Sequence, residues 1–288
     1  MPARIEDYIG TVTVADGAWG TELEKLGCPA GACREEWNLT HPELVQEVAE
    51  SYVSAGARII LTNTFGANRF TLGRHHSADK VKELNRVGAA ISKRAAGNKA
   101  RVFGSMGPTG KIVLLGEASE GEIYEAYREQ AEALAEGGAD GLVIETMSEL
   151  AEAVTAVKAA KRTGLLVVGC MIFDSGQDRL NTMMGVTPEW AAKALEDAGA
   201  DMVGCNCGIG IANYVKVAEL LRAATRKPLW VKANAGLPEL EGGRVVYRTT
   251  PDDFVARVRE LVQLGVNVIG GCCGTGPEHI RAIVADLT

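Results

Sequence analysis

Two adjacent cysteines, Cys272 and Cys273, lie in the glycine-rich stretch GGCCGTGPEHI at residues 270–280. Another two, Cys205 and Cys207, end the apolar run MVGCNC at 202–207. Thiolates are soft, negatively charged ligands that suit Zn²⁺. If the two segments meet in the fold, three thiolates could bind one zinc ion. The fourth position would then be open to a substrate, as in catalytic zinc sites.

The spacing within each pair raises a geometric question. Cys205 and Cys207 share one face of a strand, with Cys207 nearer the following loop, and the pattern leaves both as candidates. Neighbours such as Cys272 and Cys273 point to opposite faces unless the backbone leaves the pleat, which the flanking glycines permit. The alternative is that the cysteines are small buried hydrophobic residues, and we prefer this for Cys28, Cys33 and Cys170.

A zinc site with an open position indicates chemistry on a thiol. A free alkyl thiol has a pKa of about 8.5 and is mostly protonated at neutral pH, whereas a coordinated thiol is deprotonated. The resulting thiolate could attack an electrophilic carbon. Asn234, on the strand between the two cysteine segments, is a candidate for the fourth position when substrate is absent.

Two acidic residues, Asp16 and Glu145, also follow apolar runs. Together they could hold a cationic group such as an α-ammonium, and backbone N–H groups of GAWGTE at 17–22 could hold the matching carboxylate. A thiol-bearing amino acid would satisfy both halves. General acid–base work is a second interpretation. A turn-forming Asp16 and a helix-entry Glu145 would be the purely structural one.

The elements that must position these residues alternate along the chain. Near-continuous apolar runs mark strands that are buried on both faces, as in parallel sheets. Eight such runs are predicted, at 11–16, 57–64, 101–107, 141–146, 165–172, 202–207, 229–236 and 266–274. Between them lie helical patterns, the clearest at 42–56, 122–138 and 253–265.

Helix starts carry recognisable caps. Thr187 and Thr250 each precede a proline at a first helical position. Thr40 with Glu43, and a threonine at 275 with a glutamate at 278, fit the capping box.

Eight strand–helix units in 288 residues predict one α/β domain over 1–288, a (β/α)₈ TIM barrel. A doubly wound sheet shares the alternation and is the second choice. In a barrel the carboxyl ends of the strands meet at one mouth. The polar or sulfur-bearing side chains expected there are Asp16, Asn63, Thr64, Ser105, Met106, Glu145, Met171, Cys205, Cys207, Asn234, Cys272 and Cys273.

Composition narrows the function classes. The net charge is −7 and no basic cluster stands out, so nucleic acid is not an expected partner. The apolar runs are too short to span a membrane. The first residues lack an apolar signal core, so we expect a cytoplasmic protein with reduced thiols.

Several motifs together resemble the homocysteine S-methyltransferase family, and most closely the homocysteine-binding module of cobalamin-dependent methionine synthases. They span nearly the whole chain in order: DGAWGTEL (16–23), LTNTFGAN (61–68), GSMGPTG (104–110), IET (144–146), GCNCG (204–208), ANAGLP (233–238) and GGCCGTGPEHI (270–280).

This resemblance implies a zinc-bearing barrel that activates homocysteine for methylation to methionine. It implies Cys207, Cys272 and Cys273 as zinc ligands, and so selects Cys207 over Cys205. It also implies that the substrate amino group lies near Asp16 and Glu145. The remaining substrate-binding residues that we expect are Gly17, Ala18, Trp19, Thr64, Ser105 and Asn234.

The methyl donor is the open part of this interpretation. Large methionine synthases also carry folate, corrinoid and activation modules, which these 288 residues do not contain. The chain is therefore interpreted as a fragment or as a free-standing enzyme. A methylcorrinoid such as methylcobalamin, free or on a partner protein, is the first candidate donor, and S-methylmethionine or betaine is the alternative. Two further alternatives are a zinc-binding module with no catalysis and a phosphate-handling barrel in which GTGPEH at a helix N-terminus is an anion site.

Overall fold

Eight parallel strands form a barrel in the computed structural model, which describes residues 3–242 and 244–288. Their order is β1-β10-β7-β6-β5-β4-β3-β2, and a parallel bridge between Ala15 and Ile59 joins the first strand to the second. This closure confirms the predicted (β/α)₈ barrel and excludes the doubly wound sheet. The strands are β1 (Thr13–Val14), β2 (Ile59–Leu61), β3 (Arg101–Met106), β4 (Gly141–Met147), β5 (Leu166–Met171), β6 (Met202–Cys207), β7 (Leu229–Ala233) and β10 (Val268–Gly271).

Helices surround the barrel and follow its strands. The α-helices of the described residues are α1 (Trp19–Lys25), α2 (Trp37–Thr40), α3 (Pro42–Ser54), α4 (Arg69–Gly73), α5 (Val81–Ala96), α6 (Glu120–Glu136), α7 (Leu150–Lys161), α8 (Pro188–Asp197), α9 (Ile211–Ala224), α10 (Pro251–Gln263) and α11 (Pro277–Leu287). None of the helices in this part of the chain combines the length and hydrophobicity needed to cross a membrane.

The apolar strands are buried on both faces because they separate two cores. Phe103, Val143 and Trp230 belong to a cluster inside the barrel, where the rings of Phe103 and Trp230 lie 5.6 Å apart. Leu142 and Ile144, on either side of Val143 in sequence, belong to the larger cluster between barrel and helices. This alternation decides which side chains at the strand ends face the mouth.

Two of the predicted helix caps are confirmed. The Thr187 hydroxyl accepts a hydrogen bond from the Trp190 N–H at the start of α8, and Thr250 accepts one from Asp253 in α10. Each satisfies a backbone donor that has no partner within the helix. The proline at the first position of each helix lies where its missing N–H costs nothing.

The other two caps are wrong. The residues before α3 and α11 are His41 and Gly276, and neither Thr40 nor Thr275 caps a helix. Thr275 instead donates its hydroxyl to the Cys272 carbonyl at 2.6 Å. The hydroxyl therefore closes the turn that carries the adjacent cysteines.

One loop contains structure that the sequence analysis missed. Residues 237–250, which follow the seventh predicted strand and received no predicted element, include an antiparallel hairpin of β8 (Glu239–Glu241) and β9 (Arg244–Val246). The strands are short and β8 is exposed, so their hydrophobic pattern gives little signal. The hairpin follows β7 at the mouth of the barrel and brings Tyr247 to a pocket that Cys207, Cys272 and Cys273 also border.

Candidate metal centre and adjoining pocket

Three cysteine sulfurs meet at the mouth of the barrel. Those of Cys207, Cys272 and Cys273 all lie within 4.8 Å of one another, and the Cys207 and Cys273 Sγ atoms are 3.8 Å apart. They converge because β6 and β10 both pair with β7, and Cys207 and Gly271 are both in register with Ala233. The chain thus delivers sulfurs from two strands to one point.

A left-handed backbone at Cys207 aims its sulfur at the mouth. Cys205 is fully buried in the core between barrel and helices, and strict alternation would send Cys207 the same way. Cys207 has a φ of 67°, followed by Gly208 at 69°, so the chain turns at the end of β6. Such a conformation is uncommon for a non-glycine residue and tends to occur at functional sites.

The adjacent cysteines are held in a tight turn after β10. The Cys272 N–H donates to the Ala233 carbonyl at 2.7 Å, and the Thr275 N–H donates to the Cys272 carbonyl at 3.1 Å. Gly271 leaves no room for a Cβ, which would collide with the Thr275 side chain. Gly274 has a φ of 80° and lies against the Tyr247 ring. These two glycines let the backbone leave the pleat, as the sequence analysis expected.

The sulfur cluster fits Zn²⁺. Tetrahedral zinc with Zn–S bonds of about 2.3 Å needs sulfurs about 3.8 Å apart. Hydrogen bonds from Cys207 and Cys272 lower the pKa of Cys273, whereas its hydrogen bonds to Cys272 and Cys273 raise the pKa of Cys207. Within the cluster the thiolate form is thus favoured at Cys273, and a soft cation would compensate its charge.

Asn234 braces the two cysteine turns from below. Its Nδ2 donates to the Gly208 carbonyl at 2.7 Å, and its Oδ1 accepts from the Cys273 N–H at 2.9 Å. Its own N–H donates to the Cys207 carbonyl at 3.1 Å. Both ends of the Asn234 amide are thus bonded to the backbone of the cysteine turns, and its contact with a metal or a substrate stays a prediction.

A cavity of about 340 Å³ adjoins the sulfur cluster. Most of the predicted substrate-binding residues border it together with the three cysteines: Gly17, Ala18, Trp19, Thr64, Ser105 and Glu145. Asp16 and Asn234 are buried and are not among the bordering residues. The Ala18 N–H, one of the groups expected to bind a carboxylate, donates to the Thr275 carbonyl at 2.9 Å.

Glu145 is the buried carboxylate that borders this cavity. It accepts hydrogen bonds from the Ser105 hydroxyl at 2.5 Å and from the Asn206 amide at 3.3 Å. Burial raises the pKa of Glu145 to about 7, and the positive charge of Lys232 opposes this rise. A cation entering the cavity would stabilise the ionised carboxylate.

Asp16 lies behind the cavity wall and already has a cation. One carboxylate oxygen pairs with the Lys232 ammonium, and both side chains are almost completely buried. The other oxygen accepts from the Trp19 indole N–H and from the Leu61 N–H, each at 2.7 Å. Asp16 is therefore engaged in an internal ion pair in this structure, and its contact with a substrate ammonium stays a prediction.

Sequence reasoning missed Asn206 and Lys232 as site residues. The Asn206 amide accepts from the Thr146 N–H at 2.6 Å, donates to the Thr146 hydroxyl at 2.7 Å and lies 3.9 Å from the Cys272 sulfur. Thr146 has a left-handed backbone with a φ of 62°, and the two hydrogen bonds with Asn206 help to hold it. Strand alternation was the available signal. Asn206 adjoins Cys205 and therefore points to the opposite face of its strand. Lys232 lies two residues after Trp230 and therefore points to the same face.

Comparison with known proteins identifies the family. The profile described as homocysteine S-methyltransferase matches residues 13–287. The chain belongs to this family. Among curated members, the methionine synthase of Mycobacterium leprae is 33% identical over 98% of the chain, and that of Mycobacterium tuberculosis is 34% identical over 95%. The chain spans only 25% and 24% of the length of these two homocysteine S-methyltransferase relatives.

A solved structure agrees on the fold. The homocysteine methyltransferase MmuM from Escherichia coli, in its metallated form, matches with a TM-score of 0.81 at 23% identity. The match covers 99% of each chain, so the fold is shared along its whole length.

Proposed function

We propose that this homocysteine S-methyltransferase family member binds Zn²⁺ through Cys207, Cys272 and Cys273 and transfers a methyl group to homocysteine, giving methionine. The observation that carries the proposal is the set of three sulfurs within 4.8 Å, opening onto a cavity that also contains a buried carboxylate. A bound zinc ion would act there as a Lewis acid that lowers the pKa of an entering thiol.

The residues of the chain would orient the acceptor around that centre. Glu145, which accepts hydrogen bonds from Ser105 and Asn206, would bind the substrate ammonium. The Trp19 ring forms one wall and is fixed through its indole N–H. The substrate carboxylate would lie near the backbone of residues 17–19, where the Ala18 N–H is already engaged.

The chemistry is a displacement at carbon. The thiol loses its proton to solvent, its sulfur forms a bond to the methyl carbon of the donor, and the bond between methyl and donor breaks with its electron pair remaining on the donor. We propose a methylcorrinoid, free or on a partner protein, as the donor, because the motifs of the chain resemble those of cobalamin-dependent methionine synthases; two curated relatives are named methionine synthases. A small donor such as S-methylmethionine or betaine is the alternative.

The first prediction concerns metal content. Purified protein should hold about one zinc per chain, and replacing Cys207, Cys272 or Cys273 with alanine should abolish tight binding because three thiolates define the site. Elemental analysis after dialysis measures this.

The matched control is Cys205→Ala, two residues before the first ligand and buried on the helix side. It should retain zinc. Full zinc retention in all three ligand variants would sink the metal site.

The second prediction concerns the proton released when homocysteine binds. Homocysteine binding to the zinc-loaded protein should release close to one proton at neutral pH, because a thiol becomes a thiolate. Calorimetry in buffers of differing ionisation enthalpy detects this release, and heats that do not depend on buffer would contradict it.

A donor screen then tests the reaction. Methionine formation is followed with methylcobalamin, a methylcorrinoid protein, S-methylmethionine or betaine in turn. Turnover with a corrinoid supports the proposed donor, turnover only with a small donor replaces it, and thiol binding without turnover favours a zinc-binding module.

A further inference from the structure

Lys232 is a buried cation in the floor of the substrate pocket. It lies on β7, in register with Asn206 of β6 on one side and Gly270 of β10 on the other. Its side chain is only 2% exposed, yet it borders the cavity together with Glu145. A buried lysine is costly unless it is paired, so its position demands an anionic partner.

That partner is Asp16. The Lys232 ammonium pairs with one Asp16 oxygen, and the Trp19 indole and the Leu61 N–H occupy the other. Asp16 thus has three donors and is sealed from solvent. Lys232 also lies close enough to Glu145 to influence its ionisation. An ammonium of the chain itself is therefore placed beside both carboxylates that a substrate ammonium was expected to meet.

We propose that Lys232 is a specificity residue that supplies the cation for Asp16 and leaves Glu145 as the one carboxylate of this pair available to the acceptor. This inference rests on the proposed function and defines its acceptor class. Thiols in which a short alkyl chain ends in a carboxylate, with or without an α-amino group, should bind the metal-loaded site.

The charge count explains the expected effect. Asp16, Glu145 and Lys232 sum to −1 when all are ionised, and removal of the lysine would make the sum −2. A second free carboxylate would add a charge-assisted contact to a substrate ammonium, which changes affinity roughly tenfold or more. It would add nothing for a thiol that lacks the amino group.

The test compares L-homocysteine with its deamino analogue, γ-sulfanylbutanoate. Calorimetric Kd values are measured on zinc-loaded protein without a methyl donor, and their ratio reports amine dependence alone. Lys232→Ala frees Asp16 and vacates the ammonium position, so preference for homocysteine should rise at least tenfold. Lys158→Ala, an exposed lysine on α7, is the matched control and should leave the ratio unchanged. A smaller rise in Lys232→Ala overturns the inference.

A second variant covers the case in which Lys232→Ala does not fold because Asp16 is left buried and unpaired. Asp16→Asn/Lys232→Ala removes both charges and should keep the ratio within about tenfold of wild type. A larger loss of preference for homocysteine would show that Asp16 binds the substrate ammonium directly, and would also overturn the inference.

The two proposals fail in different ways. If neither thiol binds the zinc-loaded wild-type protein, the proposed function fails and this inference fails with it. If both thiols bind but their ratio does not respond to Lys232, the inference alone fails.

Discussion

The direction of the Cys207 side chain depends on a single backbone angle. With the φ of a regular strand, this sulfur would enter the apolar core where Cys205 lies, away from the mouth. With a φ of 67° it joins Cys272 and Cys273. A conformation of this kind costs of order 1 kcal/mol or more, so the surroundings must hold it. The Asn234 amide is well placed to do so, because it bonds to the backbone on both sides of the cluster.

Replacing Asn234 with alanine should therefore weaken zinc binding while all three thiols remain. Loss of supporting contacts around a metal site typically costs about 10–100-fold in affinity. Competition against a chromophoric chelator would measure the change.

The matched control for this substitution is Asn213→Ala. Asn213 also donates to two backbone carbonyls, those of Phe173 and Arg179, neither of which belongs to the cysteine turns. An equal loss of zinc affinity in both variants would remove the special role of Asn234.

The loops after the strands decide the shape of the site at the scale of elements. The β8–β9 hairpin places Tyr247 against Gly274, at the turn that follows the adjacent cysteines. Burial, and then the neighbouring Cys273, raise the pKa of Tyr247, so its hydroxyl stays protonated at neutral pH. The loop before α7 is tied to the loop after β3, since the Glu149 carboxylate accepts hydrogen bonds from the Val113 and Leu114 N–H groups.

The contact between hairpin and turn can be tested with Gly274→Ala. A Cβ at this position would collide with the Tyr247 ring, and the φ of 80° is itself unfavourable for alanine. Zinc affinity should fall at least about tenfold as the cysteine turn shifts.

Gly164→Ala separates the collision from the backbone strain. Gly164 has a φ of 75° and open space where the Cβ would lie. The Gly164→Ala protein should lose some stability and keep its zinc. An equal loss of zinc in Gly164→Ala and Gly274→Ala would contradict the role of the hairpin contact.

At the scale of the whole molecule, the closed barrel buries charged groups beside the candidate site. The closing seam between β1 and β2 is reinforced by the Asp16 carboxylate, which accepts from the Leu61 N–H while it pairs with Lys232. Glu145 is buried nearby without a full counter-charge. Folding therefore places one carboxyl group where its ionised form is disfavoured, and the stability of the metal-free protein should depend on pH.

The sign follows from the raised pKa of Glu145. Between about pH 4.5 and 7 the folded protein keeps a proton on this group that the unfolded chain has lost. Stability from this group is therefore full below about pH 4.5 and falls as pH rises to 7, by about 3 kcal/mol in total. Glu145→Gln cannot ionise and should lack this decline.

Urea unfolding of reduced, metal-free wild type and Glu145→Gln at pH 5 and pH 8 measures the effect. The difference between the proteins isolates Glu145 from every other titrating group. Parallel pH profiles for the two would refute the assignment. In the zinc-loaded protein, the same variant should bind homocysteine more weakly and retain its metal.

Much of the fold followed from local patterns in the chain. Buried apolar runs such as 141–146 and 202–207 indicated strands with both faces covered, and eight of them indicated a barrel. Thr187 and Thr250 indicated helix starts because each is followed by proline. Thr40 and Thr275 gave the same local signal and misled, because their hydroxyl groups bond to nearby carbonyls instead.

By itself, the sequence determined the strand–helix alternation, the family and the three cysteines expected to act together. These depend on residue type, spacing and order, which a linear chain contains. The tertiary structure decided that Lys232 pairs with Asp16, that Asn234 braces the turns and that Glu145 borders the cavity. Such pairings join residues up to 216 positions apart, and they depend on strand register and on a few left-handed backbone angles that no local pattern encodes.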